Sequence, residues 1–248
     1  MLDTGDALVG GGWLGEPTEG VVVVAGMNLM GYDALALGPE ELALGLDTLR
    51  ARMDEAEFPM LSANVVLSGT EELLAQPFTV IQAGDHRLGV IGLTRPLDPA
   101  SGPAAPAAGV RPSEWVRPQE WARVLDPQEA AARYVPHVAE QVEIVIVLTN
   151  LDYRAGLALA GAVPGIDLLV AALPDQPAGA LVRAPATGTI VVSAEQPAPR
   201  HTGRRVGRLV VTVDGEGNLS GESWASHAMD KTLADDPLMD ALLNKAGQ

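Results

Sequence analysis

Short apolar runs rich in β-branched residues alternate with amphipathic stretches along this chain. Four such runs predict strands, at residues 33–37, 60–65, 144–149 and 167–172. Apolar positions at helical spacing predict helices at 44–57 and 127–141. Strands that alternate with helices are typical of α/β proteins, so the pattern predicts an α/β fold.

Two β-hairpins are predicted beside these units. Residues 79–83 and 87–93 flank a Gly-Asp-His turn, and residues 206–213 and 219–223 flank a Gly-rich turn. Glycine and aspartate tolerate the positive φ that tight hairpin turns need. Residues 18–32 fit a strand or a helix, and the spacing of their apolar positions favours a helix.

A stretch rich in proline, alanine and glycine interrupts the alternation between Arg95 and Pro127. Proline fits neither a central strand nor a continuous helix, so residues 95–127 are predicted to form a long surface excursion. Its Trp115, Arg117 and Trp121 are residue types enriched at interface hot spots, which predicts a site for docking a partner. The alternative, that both tryptophans fold back onto the core, stays open. With no second hydrophobic core in sight, residues 1–248 are predicted to form a single domain.

The amino-acid composition and net charge exclude some classes of protein and of binding partner. Apolar residues make up 47% of the 248 residues and charged residues 19%, as expected of a packed core. Sixteen basic against 32 acidic residues leave a net charge of −16, which argues against nucleic acid as a partner. No apolar run reaches the ~20 residues of a transmembrane helix. The absence of cysteine excludes disulfides and thiolate metal sites.

Polar residues at predicted strand ends are the candidates for chemistry. Asp6 lies in a Gly-rich loop, Glu40 and Glu41 follow the strand at 33–37, and Asn150 and Asp175 follow two later strands. Oxygen ligands of this kind could hold a hard cation. Each also fits an ordinary turn or helix start, because proline at the first helical position followed by acidic residues is a common helix beginning. The four histidines show no metal-type spacing.

Eight stretches carry a resemblance to a known family. They are LDTGDALVGG (2–11), MNLMGYDALALG (27–38), FPMLSANV (58–65), RLGVIGLT (87–94), DPQEAAARYVPHV (126–138), EIVIVLTNL (143–151), VPGIDLLV (163–170) and VGRLVVTVD (206–214). In this order they resemble the calcineurin-like metallophosphoesterase domain of the bacterial 5′-nucleotidase family. The resemblance implies a four-layer α/β/β/α sandwich, in which two packed mixed β-sheets are flanked by helices, and it implies a helix at 18–32.

The same resemblance implies a dinuclear metal centre, whose motifs are only partly present. Asp6 matches the bridging aspartate. Of the Gly-Asn-His-Glu motif, Glu41 and its glycine are kept, but Pro39 and Glu40 replace the asparagine and the histidine. The first Asp-x-His strand would lie upstream of Met1, so the chain resembles an N-terminally shortened member.

Later motifs are altered as well. Asn150 stands at the position of the strand-end histidine, and Leu173 and Asp175 stand at the two histidines of the last motif. Leucine and proline offer no ligand atom, so each metal is reduced to about two protein ligands. The resemblance therefore implies a vestigial metal site at Asp6, Asn150 and Asp175, with no cofactor expected.

We therefore expect a pseudoenzyme, a non-catalytic 5′-nucleotidase-like protein that acts as a structural or partner-binding subunit with another protein. The family's C-terminal nucleotide-recognition domain finds no match in the 248 residues, and family habit implies an extracytoplasmic location. One alternative is a divergent phosphoester hydrolase that holds Mn, Zn, Mg or Ca through Asp6, Glu40, Asn150 and Asp175. Another is that a missing N-terminal segment completes the site from a separate chain.

Overall fold

The fold is described from a computed structural model that covers residues 1–9, 18–97, 117–173, 181–193, 205–214, 219–230 and 232–246. The strands are β1 (Leu2–Asp3), β2 (Ala34–Ala36), β3 (Met60–Leu61), β4 (Val65–Leu67), β5 (Phe78–Ala83), β6 (His86–Leu93), β7 (Ala122–Val124), β8 (Ile144–Asp152), β9 (Leu168–Leu173), β10 (Leu181–Arg183), β11 (Ile190–Ser193), β12 (Arg205–Val213) and β13 (Leu219–Ala228). The α-helices are α1 (Val21–Met30), α2 (Pro39–Leu42), α3 (Leu46–Glu55), α4 (Pro127–Ala139), α5 (Tyr153–Ala162) and α6 (Pro237–Ala246).

The strands form two principal sheets. One has six strands in the order β10-β11-β9-β8-β6-β5, parallel at its centre and antiparallel at both edges. The other has three parallel strands in the order β1-β2-β3. Strands β12 and β13 form an antiparallel hairpin, and β4 pairs with β7.

The buried apolar side chains form three clusters, and successive residues of a strand face different clusters. Along β8, Ile146 and Leu148 pack with Ala34 and Ala36 of β2, whereas the intervening Val147 packs with helices on the opposite face. The apolar cluster that holds Ala34 and Leu148 therefore lies between the two sheets, as expected where residues of period two face alternate sides. Full burial of a side chain such as Leu148 contributes about 1.5–3 kcal/mol.

Helices cover the outer face of each sheet. Helices α4 and α5 contact the six-stranded sheet, and α1 and α3 share a core with β2 and β3. The predicted α/β/β/α layering is thus confirmed. Residues 18–32 contain helix α1, which confirms the helical interpretation.

Two predictions of local structure were wrong. The strand expected at 60–65 is divided into β3 and β4, which belong to different sheets. The predicted surface excursion at 95–127 does not extend to its C-terminal end, because residues 122–124 form β7 against β4. Just before β7, Trp121 is half-buried against the core of the three-stranded sheet, and its carbonyl accepts the Ser68 N–H at 2.8 Å. Residues 98–116, with Trp115, lie outside the described residues.

Among the described residues, no helix has the length and hydropathy needed to cross a bilayer.

Candidate functional site

The loop after β1 approaches the end of β2 so closely that two positions must be glycine. A Cβ atom on Gly5 would lie 2.2 Å from the Ala36 carbonyl oxygen, and one on Gly38 would lie 2.2 Å from Asp6 Oδ1. Gly5 has φ of +89° and Asp6 has φ of +56°, the left-handed region that glycine and aspartate enter most readily. This backbone turns the Asp6 carboxylate toward the start of α2.

Glu41 fixes this loop from within the core. Its side chain is fully buried, and each carboxylate oxygen accepts two backbone N–H groups. Oε1 accepts from Ala7 at 2.8 Å and Leu8 at 3.0 Å, and Oε2 accepts from Asp6 and Gly38, both at 2.8 Å. These four hydrogen bonds tie residues 6–8 to the N-terminus of α2.

The pKa of Glu41 is subject to two opposing influences, burial and hydrogen bonding. Desolvation raises the pKa of Glu41 to about 8, the nearby charge of Asp6 adds to the rise, and the N–H groups that it accepts oppose it. Burial also raises the pKa of Asp6, against the N–H of Glu40 and the charge of Arg95. Both carboxylates are therefore held at a desolvation cost that their hydrogen bonds offset only in part.

Both oxygens of Asp6 have partners within the protein. Oδ1 accepts the Glu40 N–H at 2.9 Å, and Oδ2 lies 3.6 Å from Nη2 of Arg95 in an ion pair. The Asp6 side chain is 22% exposed and that of Arg95 is 35% exposed, so the pair is partly shielded from solvent. The nearest cation to Asp6 among the described residues is thus an arginine.

Asn150 lies near the end of β8, where the pairing with β9 becomes irregular between Thr149 and Asp152. Its Oδ1 accepts the backbone N–H of Arg95 at 2.7 Å. Its Nδ2 donates to the carbonyl oxygens of Leu37 at 3.0 Å and Thr4 at 3.2 Å. These partners fix the orientation of the fully buried amide and occupy its oxygen.

A second cluster of buried polar side chains connects the ends of β3 and β6. Asn64 accepts the Thr94 N–H at 2.8 Å and donates to the Thr94 carbonyl at 2.7 Å. The Thr94 hydroxyl lies 2.8 Å from both the Ser62 hydroxyl and the Leu37 carbonyl. All three side chains are fully buried and hydrogen-bonded, which is the condition under which buried polar groups stabilise one arrangement.

These residues do not fit the metal centre that the family implies. The Asn150 oxygen is used by a backbone N–H, Glu41 accepts four, and Asp6 faces an N–H and a guanidinium. Within the described ranges, no three His, Cys, Asp or Glu side chains are grouped as a metal site. A divalent ion held through oxygen needs several such ligands at once.

The structure brings together most of the site residues that the sequence predicts. Asp6 and Asn150 both contact Arg95, and the backbone N–H of Glu40 donates to Asp6. Asp175 and the Leu173 side chain lie outside what the structure describes. Pro39 is the first residue of α2 and supplies no ligand atom.

Sequence reasoning missed Arg95. The one available signal was its place directly after β6, where a charged residue follows buried Thr94 at a strand end. Of the predicted partner-binding residues, Arg117 is exposed and Trp121 is half-buried.

No protein-family model matches the chain. Among curated proteins, a segment of 69 residues is 45% identical to Protein UshA of Escherichia coli, which covers 28% of this chain and 12% of that protein. A segment of 101 residues is 37% identical to the 5′-nucleotidase of Homo sapiens, covering 38% of this chain and 17% of that one. The matches thus span less than a fifth of these relatives.

Solved structures match over almost the whole chain. A 5′-nucleotidase precursor from Thermus thermophilus is 26% identical with a TM-score of 0.76, over 99% of this chain and 48% of that one. The calcineurin-like phosphoesterase YfkN from Bacillus subtilis is 19% identical with a TM-score of 0.74, over 99% of this chain and 82% of that one. The chain spans about half of the Thermus protein, and the YfkN likeness supports the fold.

Proposed function

We propose that this chain, which belongs to the calcineurin-like metallophosphoesterase domains of the 5′-nucleotidase family, is a non-catalytic domain that serves as a structural or partner-binding subunit. The observation that supports the proposal is the internal pairing of Asp6 and Asn150, whose oxygens are engaged by the protein's own donors. Two-metal hydrolysis of a phosphoester requires such oxygens and imidazoles to be available to the ions.

The electrostatics of the site support the same proposal. Phosphoryl transfer is stabilised by positive charge around the transferred oxygens. Here Glu40 stands where the resemblance places a histidine, and Asp6 is beside it through the Glu40 N–H. A carboxylate at that point repels a phosphoryl oxygen, and Arg95, the cation within reach, is already paired with Asp6.

Metal analysis combined with a phosphate-release assay tests the loss of catalysis. We expect the purified chain to hold less than a stoichiometric amount of Mn, Zn, Mg or Ca. We also expect it to release no phosphate from nucleoside monophosphates or an aryl phosphate in excess Mn²⁺. Asp6→Ala serves as the matched control for contaminating activity. Turnover by the unaltered chain that disappears in Asp6→Ala would contradict the proposal in favour of a divergent metal-dependent hydrolase.

The partner in this proposal is another protein, recognised through Trp115 and Arg117; Trp121, the third residue that the sequence predicted, packs against the core. Support comes from the residue types, since Trp and Arg dominate interface hot spots, and from the exposure of Arg117. In keeping with family habit, we place this assembly outside the cytoplasm.

Co-purification from the source cells tests the assembly. Trp121 is left intact because it packs against the core. Trp115→Ala combined with Arg117→Ala should abolish recovery of a defined partner while the thermal midpoint stays the same. Arg123→Ala, which removes an exposed arginine paired with Glu71, is the control and should retain the partner. Equal recovery with both variants would remove these residues from the proposed interface.

A further inference from the structure

Arg95 contacts two residues of the site through two different groups, its backbone N–H and its guanidinium. The backbone N–H of Arg95 donates to Asn150 Oδ1 at 2.7 Å, and its guanidinium Nη2 lies 3.6 Å from Asp6 Oδ2. Arg95 therefore engages two of the family's metal positions, those of Asp6 and Asn150. Its Nε is buried without a hydrogen-bond partner, so the stem of the side chain is enclosed while the end faces Asp6.

The Asp6 carboxylate needs a positively charged partner. Its left-handed backbone and the crowding at Gly38 hold the carboxylate in place, and partial burial makes an unpaired charge there costly. The neighbouring acidic residue Glu40 adds negative potential. Among the described residues, Arg95 is the basic side chain that forms an ion pair with Asp6.

We infer that the Arg95 guanidinium is an internal cation that takes the place of a bound metal ion beside Asp6, so that the fold of this site is independent of metal. The inference rests on the proposed absence of metal chemistry and identifies what replaces it. Arginine suits the role because its guanidinium stays charged at every physiological pH and is less strongly hydrated than an ammonium. The strand ends of β1, β6 and β8 are then held together by groups of the protein itself.

Thermal unfolding with and without metal tests this inference on the full chain. The unaltered protein should keep the same midpoint, within about 1 °C, in EDTA and in 1 mM Mn²⁺. Arg95→Met keeps the apolar stem and removes the charge. It should lower the midpoint by about 2–4 °C, as expected for a partly exposed pair in a chain of this length. In that variant the loss should be the same in EDTA and in 1 mM Mn²⁺, because Asp6 alone does not supply the several oxygen ligands that hold a divalent ion.

Two controls separate charge from packing. Arg95→Lys keeps a cation and should retain most of the midpoint. Arg123→Met removes a more exposed pair elsewhere and should lower the midpoint by less than Arg95→Met does. Adding Asp6→Asn to Arg95→Met should recover most of the lost midpoint, because no unpaired carboxylate then remains beside the Glu40 N–H.

Different results would overturn different parts of the account. An Arg95→Met midpoint equal to that of the unaltered chain, or a loss that Asp6→Asn fails to recover, would overturn the inference and leave the proposed non-catalytic function standing. Stoichiometric metal bound by the unaltered chain and lost in Asp6→Asn would overturn both.

Discussion

Replacing Glu41 by glutamine should destabilise the protein far more than the same change at its neighbour Glu40. The glutamine amide places an NH₂ group, which cannot accept a hydrogen bond, where one carboxyl oxygen of Glu41 accepted two backbone N–H groups. Each buried N–H left without an acceptor costs about 1–3 kcal/mol. Because Asp6 and Ala7 are not completely buried, we place the loss near the lower part of that range, at about 3 kcal/mol for two groups.

Chemical denaturation at pH 6 measures this loss directly, and differential scanning calorimetry should show a midpoint lowered by about 6–12 °C. In Glu40→Gln the backbone N–H that Asp6 accepts is retained, so that variant should lose less than about 1 kcal/mol. A Glu41→Gln loss that matches the Glu40→Gln loss would show that the four bonds contribute little. The loop at residues 6–8 would then be held by other contacts.

Two further predictions concern the same loop. Because burial raises the folded-state pKa of Glu41 from 4.5 to about 8, its contribution to stability should be complete below pH ~4.5 and lost as pH rises toward 8. Denaturation midpoints should therefore fall across this range, and a slope unchanged in Glu41→Gln would assign the effect to other groups. Gly5→Ala should cost more than about 3 kcal/mol, because its Cβ would lie 2.2 Å from a backbone oxygen. Gly69→Ala, at φ of +78° with open space around it, should cost only about 1 kcal/mol, and similar losses at both sites would refute the steric argument.

The layers of the fold were predictable because the apolar residues within each strand indicate which of its faces are buried. In β2 and β8, apolar residues occupy both faces, as expected of strands covered on two sides. Pro39, Glu40 and Glu41 likewise predicted a helix start, and α2 begins there. These features depend on neighbouring residues, which a sequence shows directly.

The partners of the site residues depend on contacts between distant parts of the chain. Glu41 accepts N–H groups from residues more than 30 positions earlier, and Asn150 accepts one from Arg95, 55 positions away. Neither pairing has a local pattern, because it arises only when the ends of separate strands meet at one edge of the fold. For the same reason the sequence predicted Trp121 as part of a surface excursion, although β7 draws it onto the core.

The shape of the site does not depend on a complete set of metal ligands. Glu41 and the Ser62–Asn64–Thr94 cluster hold the loop and the strand ends through hydrogen bonds that involve no metal-facing atom. Because those bonds carry the geometry, the ligand positions are free to change without loss of the fold. The amide of Asn150 has three backbone partners, and Arg95 lies beside the charge of Asp6. The proposed loss of metal ligands is therefore physically compatible with the observed fold.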